Sequence, residues 1–134
     1  MIYALDTNTI VNYLRNEPNV QQNFNSMVMQ GYNLVVPRMV DYEILRGFRL
    51  VSAPKKEAAY KILTERCEIA EMDINSWKKA EEVYVSLYNK GFTVGEMDIL
   101  IAAFCLKNDY TLVTSNIKDF ENIDGLTLVD WNKR

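Results

Sequence analysis

Two hydrophobic rhythms alternate along the chain. Short, β-prone apolar runs occur at Ile2-Tyr3-Ala4-Leu5, Leu34-Val35-Val36, Thr111-Leu112-Val113 and residues 126–129, with a weaker one at 68–72. Runs of that length, closed by polar residues or by proline, read as buried strands. Between them apolar positions recur at three- and four-residue steps, the period that gives a helix one buried face. This spacing predicts helices over 9–14, 17–29, 38–51, 55–66 and 73–90, with Pro18 and Pro54 in tolerated opening positions and Gly31 and Gly91 at the ends. The inner stripes are Val40, Ile44, Phe48 and Val51 in the third helix and Ala59, Ile62 and Leu63 in the fourth. In the fifth they are Trp77, Ala80, Val83 or Tyr84, and Leu87. Residues 93–106 differ in kind: from Ile99 through Leu106 every side chain is apolar, so a helix there is expected to be buried nearly all round and to cross the middle of the domain.

Strands alternating with helices of these lengths imply an α/β fold, a three-layer α/β/α sandwich around a central, mostly parallel sheet. The 134 residues fit one domain, 1–134, large enough to bury a core without disulfides or structural metal. No stretch approaches the ~20 consecutive apolar residues of a membrane helix, and the N-terminus lacks the basic segment of a signal peptide. Cys67 and Cys105, the only cysteines, read as buried thiols of a reducing compartment. A soluble, cytoplasmic protein is expected, with no membrane partner.

The chain contains no histidine. That removes Ser-His-Asp and Cys-His nucleophiles, paired-histidine ribonuclease chemistry and imidazole metal sites. Two distant cysteines do not make a zinc centre either. Strong chemistry is left to carboxylates, and a metal held by oxygen alone would be a hard ion such as magnesium or manganese. The net charge of −3 excludes a protein that coats nucleic acid by bulk electrostatics. It leaves room for a phosphate contact bridged by a cation.

Carboxylates stand at informative places. Asp6 closes the first strand, and the carboxyl ends of strands are where open α/β sheets bind ligands; the same residue also reads as the cap of the helix that follows. Glu43 borders the apolar stripe of the third helix and reads either as a site residue or as the partner of Arg46 three positions on. Asp98 precedes the apolar run of 99–106, on the face of Ile101, Ala102 and Cys105. There it is costly to desolvate unless a cation, a helix N-terminus or hydrogen bonds compensate, and Glu96 or Asp98 also suits the positive end of that helix. Asn116 ends the 111–113 strand as Asp6 ends the first, and Asp119 follows it.

With these pieces in order, the sequence resembles the PIN-domain ribonucleases, and within them the small VapC-type toxins of toxin–antitoxin pairs. The resemblance is carried by Asp6-Thr7-Asn8, Tyr42-Glu43-Ile44-Leu45-Arg46-Gly47, Val94-Gly95-Glu96-Met97-Asp98-Ile99-Leu100-Ile101-Ala102-Ala103 and Leu112-Val113-Thr114-Ser115-Asn116, with Phe120, Gly125-Leu126 and Trp131 closing the chain. It implies a metal-dependent endoribonuclease in which Asp6, Glu43 and Asp98 hold magnesium or manganese and a water attacks the phosphodiester. It also implies a homodimer, silenced by a cognate antitoxin inserted near the active site. Asn116 departs from the fourth aspartate of many PIN nucleases, which weakens the case for a second metal and leaves Asp119 as an outer substitute. Thr7, Asn8 and Thr114 are expected to orient carboxylates or water. Arg46 and Arg49 are expected either to reach RNA phosphates or to pair with Asp41 and Glu43. Two rival readings remain at this point: a receiver-like α/β domain, which lacks its acidic pair here, and a PIN scaffold kept only for binding protein.

Overall fold

The computed structural model describes residues 1–133. Five strands form one sheet in the order β3-β2-β1-β4-β5, every neighbouring pair parallel. They are β1 (Ile2–Leu5), β2 (Asn33–Pro37), β3 (Glu68–Ala70), β4 (Thr111–Val113) and β5 (Leu128–Val129). The helices are α1 (Thr7–Leu14), α2 (Pro18–Met29), α3 (Arg38–Leu50), α4 (Pro54–Glu65), α5 (Ile74–Lys90), α6 (Glu96–Asn108) and α7 (Ile117–Phe120). Because parallel strands need crossovers, each connection carries helix and the sheet is covered on both faces, as expected for the three-layer class.

The first strand lies at the centre. Tyr3 registers with Leu34 of β2 and with Thr111 of β4, and the buried Ala4 and Leu5 extend the pairing toward Asp6. Asp6 thus emerges at the carboxyl end of the middle strand, flanked by the ends of β2 and β4. Its amide donates to the Val113 carbonyl at 3.1 Å, which keeps the polar exit of β1 locked to β4. α6 is the buried helix its composition demands: Ile99 and Ile101 through Cys105 are each at most 3% exposed. It packs on α5, α3, α7 and β4.

Several expected positions move. The run at 68–72 pairs only over Glu68–Ala70, and that at 126–129 only over Leu128–Val129; both are edge strands with a neighbour on one side. α6 begins at Glu96 rather than in the 93–95 segment and runs on to Asn108. The buried stripe of α5 is Ser76, Ala80, Val83 and Leu87, while Trp77 and Tyr84 are each 48% exposed. α5 packs on α6, and side chains at the border of its apolar face stay in solvent. Likewise Ile62 and Val51 are exposed, and Tyr60 with Leu63 form the inner face of α4. Cys105 is buried as expected, Cys67 only half-buried.

The C-terminal segment is sewn to α2. Trp131 is buried with its ring edge-on to Phe24 at 6.4 Å, and Asn23 and Asn19 donate to the Trp131 and Asn132 carbonyls at 3.0 and 2.9 Å.

Candidate active site

Asp6 is buried, and one of its oxygens accepts the Thr9 amide at 2.8 Å, so it does cap α1. The cap uses Oδ1 and leaves Oδ2 on the other side of the carboxylate. Capping and a site role are therefore compatible, not alternatives. Burial pushes the Asp6 carboxyl above its ordinary range; hydrogen bonds from Thr114 and from the Thr9 amide oppose this, and the negative charge of Glu43 adds to it. Thr114 is wholly buried and its hydroxyl also accepts the Asn116 amide at 3.0 Å, so one side chain joins the exits of β1 and β4. The Thr9 hydroxyl completes the tie by donating to the Val113 carbonyl at 2.9 Å.

Glu43 stands in the second turn of α3, half-buried, and accepts the Thr7 hydroxyl at 3.0 Å. Thr7 begins α1 one residue after Asp6, so this bond sets the spacing between two acidic side chains on different elements. Among the described residues no ion pair joins Glu43 to Arg46; the Arg46 guanidinium lies over the Tyr42 ring, 5.1 Å from its centroid. The expectation that Arg46 or Arg49 pairs with Asp41 is corrected in the same way: the arginine that does so is Arg38, at the start of α3. Asp41 is buried and held by Arg38 at 3.0 Å and by the Tyr60 hydroxyl at 2.6 Å, and Arg38 reaches on to Glu71. Arg46 and Arg49 are left exposed on α3 without an acidic partner among the described residues.

Asp98 lies in the first turn of α6, half-buried. Its carboxyl is pushed up to about 6, first by burial and then by the negative charges of Asp119, Asp6 and Glu43 in that order. Four segments far apart in the chain therefore deliver carboxylates that feel one another at one end of the sheet. Asp119, on α7, is exposed and its charge acts on Asp98 more than those of Asp6 and Glu43 do. Asn116 occupies the N-cap position of α7 without a capping bond from its side chain and is exposed. Asn8 is half-buried in the first turn of α1.

These acids approach without closing a cage. Among the described residues no group of three acidic, histidine or cysteine side chains is arranged to hold an ion outright. Like charges with no cation between them are expected to stand apart. The donor set is nevertheless coherent: all oxygen, with the acidic neighbours of Asp98 and of Asp6 adding to the rise that burial gives each, and open to solvent at Asp119 and Asp98. Magnesium usually takes one or two carboxylates and keeps several waters, so an open acidic rim suits it better than an all-protein cage would. Asp6, Glu43 and Asp98, with Asp119 outside them, are the residues that could hold it.

The network Arg38–Asp41–Tyr60 escapes a reading from sequence. Its one signal is Asp41 lying at the helical spacing of Ile44 and Phe48, where a charge needs a buried partner.

The PIN domain family matches residues 3–126. A Rickettsia felis protein named Ribonuclease VapC2 is 31% identical, with 99% of this chain and all of the relative aligned. A Salmonella typhimurium protein named tRNA(fMet)-specific endonuclease VapC is 26% identical over 96% of this chain and 97% of its own. The fold superposes on VapBC2 from Rickettsia felis, crystallised with a DNA fragment from their promoter, at a TM-score of 0.90 and 28% identity, covering 98% of this chain and 99% of that one. VapBC-1 from nontypeable Haemophilus influenzae gives 0.86 at 28% identity, covering 99% and 100%. The acidic rim at the end of β1 thus sits in a chain that follows these relatives from end to end, and it belongs to the PIN-domain family, among the VapC ribonucleases.

Proposed function

We propose that the protein is the endoribonuclease toxin of a toxin–antitoxin pair and cleaves RNA phosphodiesters at the rim formed by Asp6, Glu43 and Asp98, with magnesium or manganese as cofactor. The observation that carries this is the coupling of Asp98 to Asp119, Asp6 and Glu43, which favours a proton or a cation at that place. When bound, a divalent ion neutralises the carboxylates, acidifies water and stabilises charge on the phosphoryl oxygens. The chain supplies the rest. Asp6 is fixed by its cap to Thr9 and by Thr114, Glu43 is aimed by Thr7, and Asp98 is carried on a helix locked into the core. Held this way, the acids orient the attacking water and accept its proton, so no histidine is needed. Arg46, braced on Tyr42, and Arg49 lie on the helix that carries Glu43 and serve the phosphates beside the cut.

The solved relatives are VapBC assemblies. That likeness supports pairing of this chain with a cognate antitoxin; in our reading the antitoxin covers the acidic rim with a basic side chain, and the chain forms a homodimer. The test is cleavage of an RNA panel by the pure protein with added Mg2+ or Mn2+. Cleavage abolished by chelation and by Asp6→Asn is the expected result; cleavage that persists unchanged in Asp98→Asn would sink the assignment.

A further inference from the structure

We propose that Tyr84, Tyr88 and Phe92 form a stacking platform for an unpaired base of the RNA strand beside the scissile phosphodiester. The proposal rests on the ribonuclease reading above and adds to it a site for the base rather than the phosphate.

Tyr84 and Tyr88 are 48% and 72% exposed, with ring centroids 6.4 Å apart and planes only 18° from parallel. They sit one turn apart on the solvent side of α5, away from the Val83 and Leu87 seam that packs inward. Phe92 is 43% exposed and is placed by the end of the helix. Gly91 adopts φ 80°, and the Phe92 amide donates back to the Leu87 carbonyl at 2.9 Å, so the helix ends in a fixed turn that brings Phe92 to the depression the two tyrosines line. Three aromatic faces are thus pre-ordered in solvent with no fold-level use for them, since the core below is complete without them.

Their place points to the occupant. Tyr84, Tyr88, Phe92 and Val94 line one shallow depression together with Ile99, the residue next to Asp98. Gly91 closes α5 and α6 opens at Glu96, so the depression sits at the corner leading into the turn that carries Asp98, and the nucleotide adjoining the cut is its proposed occupant. Its volume, about 100 Å³, is well under the ~300 Å³ of ordinary small-molecule sites, so it takes one flat group. The surroundings argue against a phosphate: no lysine or arginine lines the depression, and Lys90, the basic residue of the last turn of α5, is held by Asp124 at 2.7 Å. Aromatic faces without a free cation suit stacking on bases, which tolerates any sequence because every base has a π-face.

The test uses the full chain carrying Asp6→Asn, in chelator, and short single-stranded RNAs containing a fluorescent adenine analogue whose emission falls when it stacks. Tyr84→Leu/Tyr88→Leu is expected to weaken binding about tenfold and abolish the quench, while Tyr84→Phe/Tyr88→Phe keeps both. Because rings rather than charges are lost, the salt dependence of binding stays the same. Equal affinity and quench in the Leu variant overturn the platform. So does a Leu variant whose only change is its association state in sedimentation, which would assign the patch to an interface between copies. Ring-dependent quenching in a protein whose wild type cleaves no RNA would uphold the platform and reject the nuclease reading; cleavage with no ring dependence would do the reverse.

Discussion

At the residue scale the site is an acid held against its own charge. Asp98 titrates at about 6 in the fold against 3.8 when unperturbed, so the folded state binds a proton more readily than the unfolded state does. The contribution of Asp98 to stability is therefore complete below about pH 4 and is lost as pH rises through about 6. Above that range the ionised carboxylate is a burden unless a cation shares it. In chelator at pH 8, Asp98→Asn is expected to stabilise the protein by about 1 kcal/mol, the shift being discounted because the group is half open to water. The advantage over wild type should vanish toward pH 4. Thermal melts across pH check this, and added Mn2+ should raise the wild-type melting temperature more than that of the variant. Thr7 makes a second case at this scale. Among the described residues its only side-chain bond is to Glu43, so Thr7→Val should lower the cleavage rate about tenfold, as loss of an orienting partner commonly does, while leaving the melting temperature near that of wild type.

At the scale of elements, α3 matters because it holds Glu43 and is anchored by a buried charge. Asp41 takes bonds from Arg38 on its own helix and from Tyr60 on α4, and burial together with that bond raises the Tyr60 hydroxyl above its ordinary titration range. Tyr60→Phe leaves one oxygen of a buried carboxylate without its donor, which should cost about 1–3 kcal/mol in denaturant unfolding. A wild-type midpoint in that variant would show that water replaces the hydroxyl at no cost. The same elements show what a sequence reveals and what it hides. β1, β2 and β4 were legible because central strands bury both faces and so read as continuous apolar runs. β3 and β5 are edges, and an edge needs only enough apolar surface to pair on one side, so their ends blurred. Asp6, Glu43 and Asp98 were legible through position: one closes a strand, one borders a stripe, one precedes a buried helix. Asp41 was not, because its burial is decided by a tyrosine on the next helix, and no periodicity along α3 reports that partner. Trp77 and Tyr84 misled for a related reason, since helical spacing says which residues share a face but not how wide the neighbour covering it will be.

At the scale of the whole molecule, an acidic protein must bind a more acidic polymer. With a net charge of −3 and a pI near 5.0, long-range attraction for RNA is absent. Binding therefore has to come from local terms: a shared cation at the carboxylates, base stacking, and the exposed arginines of α3. Each phosphate neutralised on a single strand adds about 0.7 to the slope of log affinity against log salt. With Arg46 and Arg49 as the two protein cations engaged, the slope should be shallow, about 1.4, when the divalent ion is held at saturation. Arg46→Ala/Arg49→Ala should flatten it further and weaken binding alike for every RNA sequence, because phosphate contacts position a strand without reading it. A slope several times steeper, unchanged by that double substitution, would mean that the RNA lies on a basic surface elsewhere, contributed by a second copy or a partner chain, and that the α3 arginines face solvent.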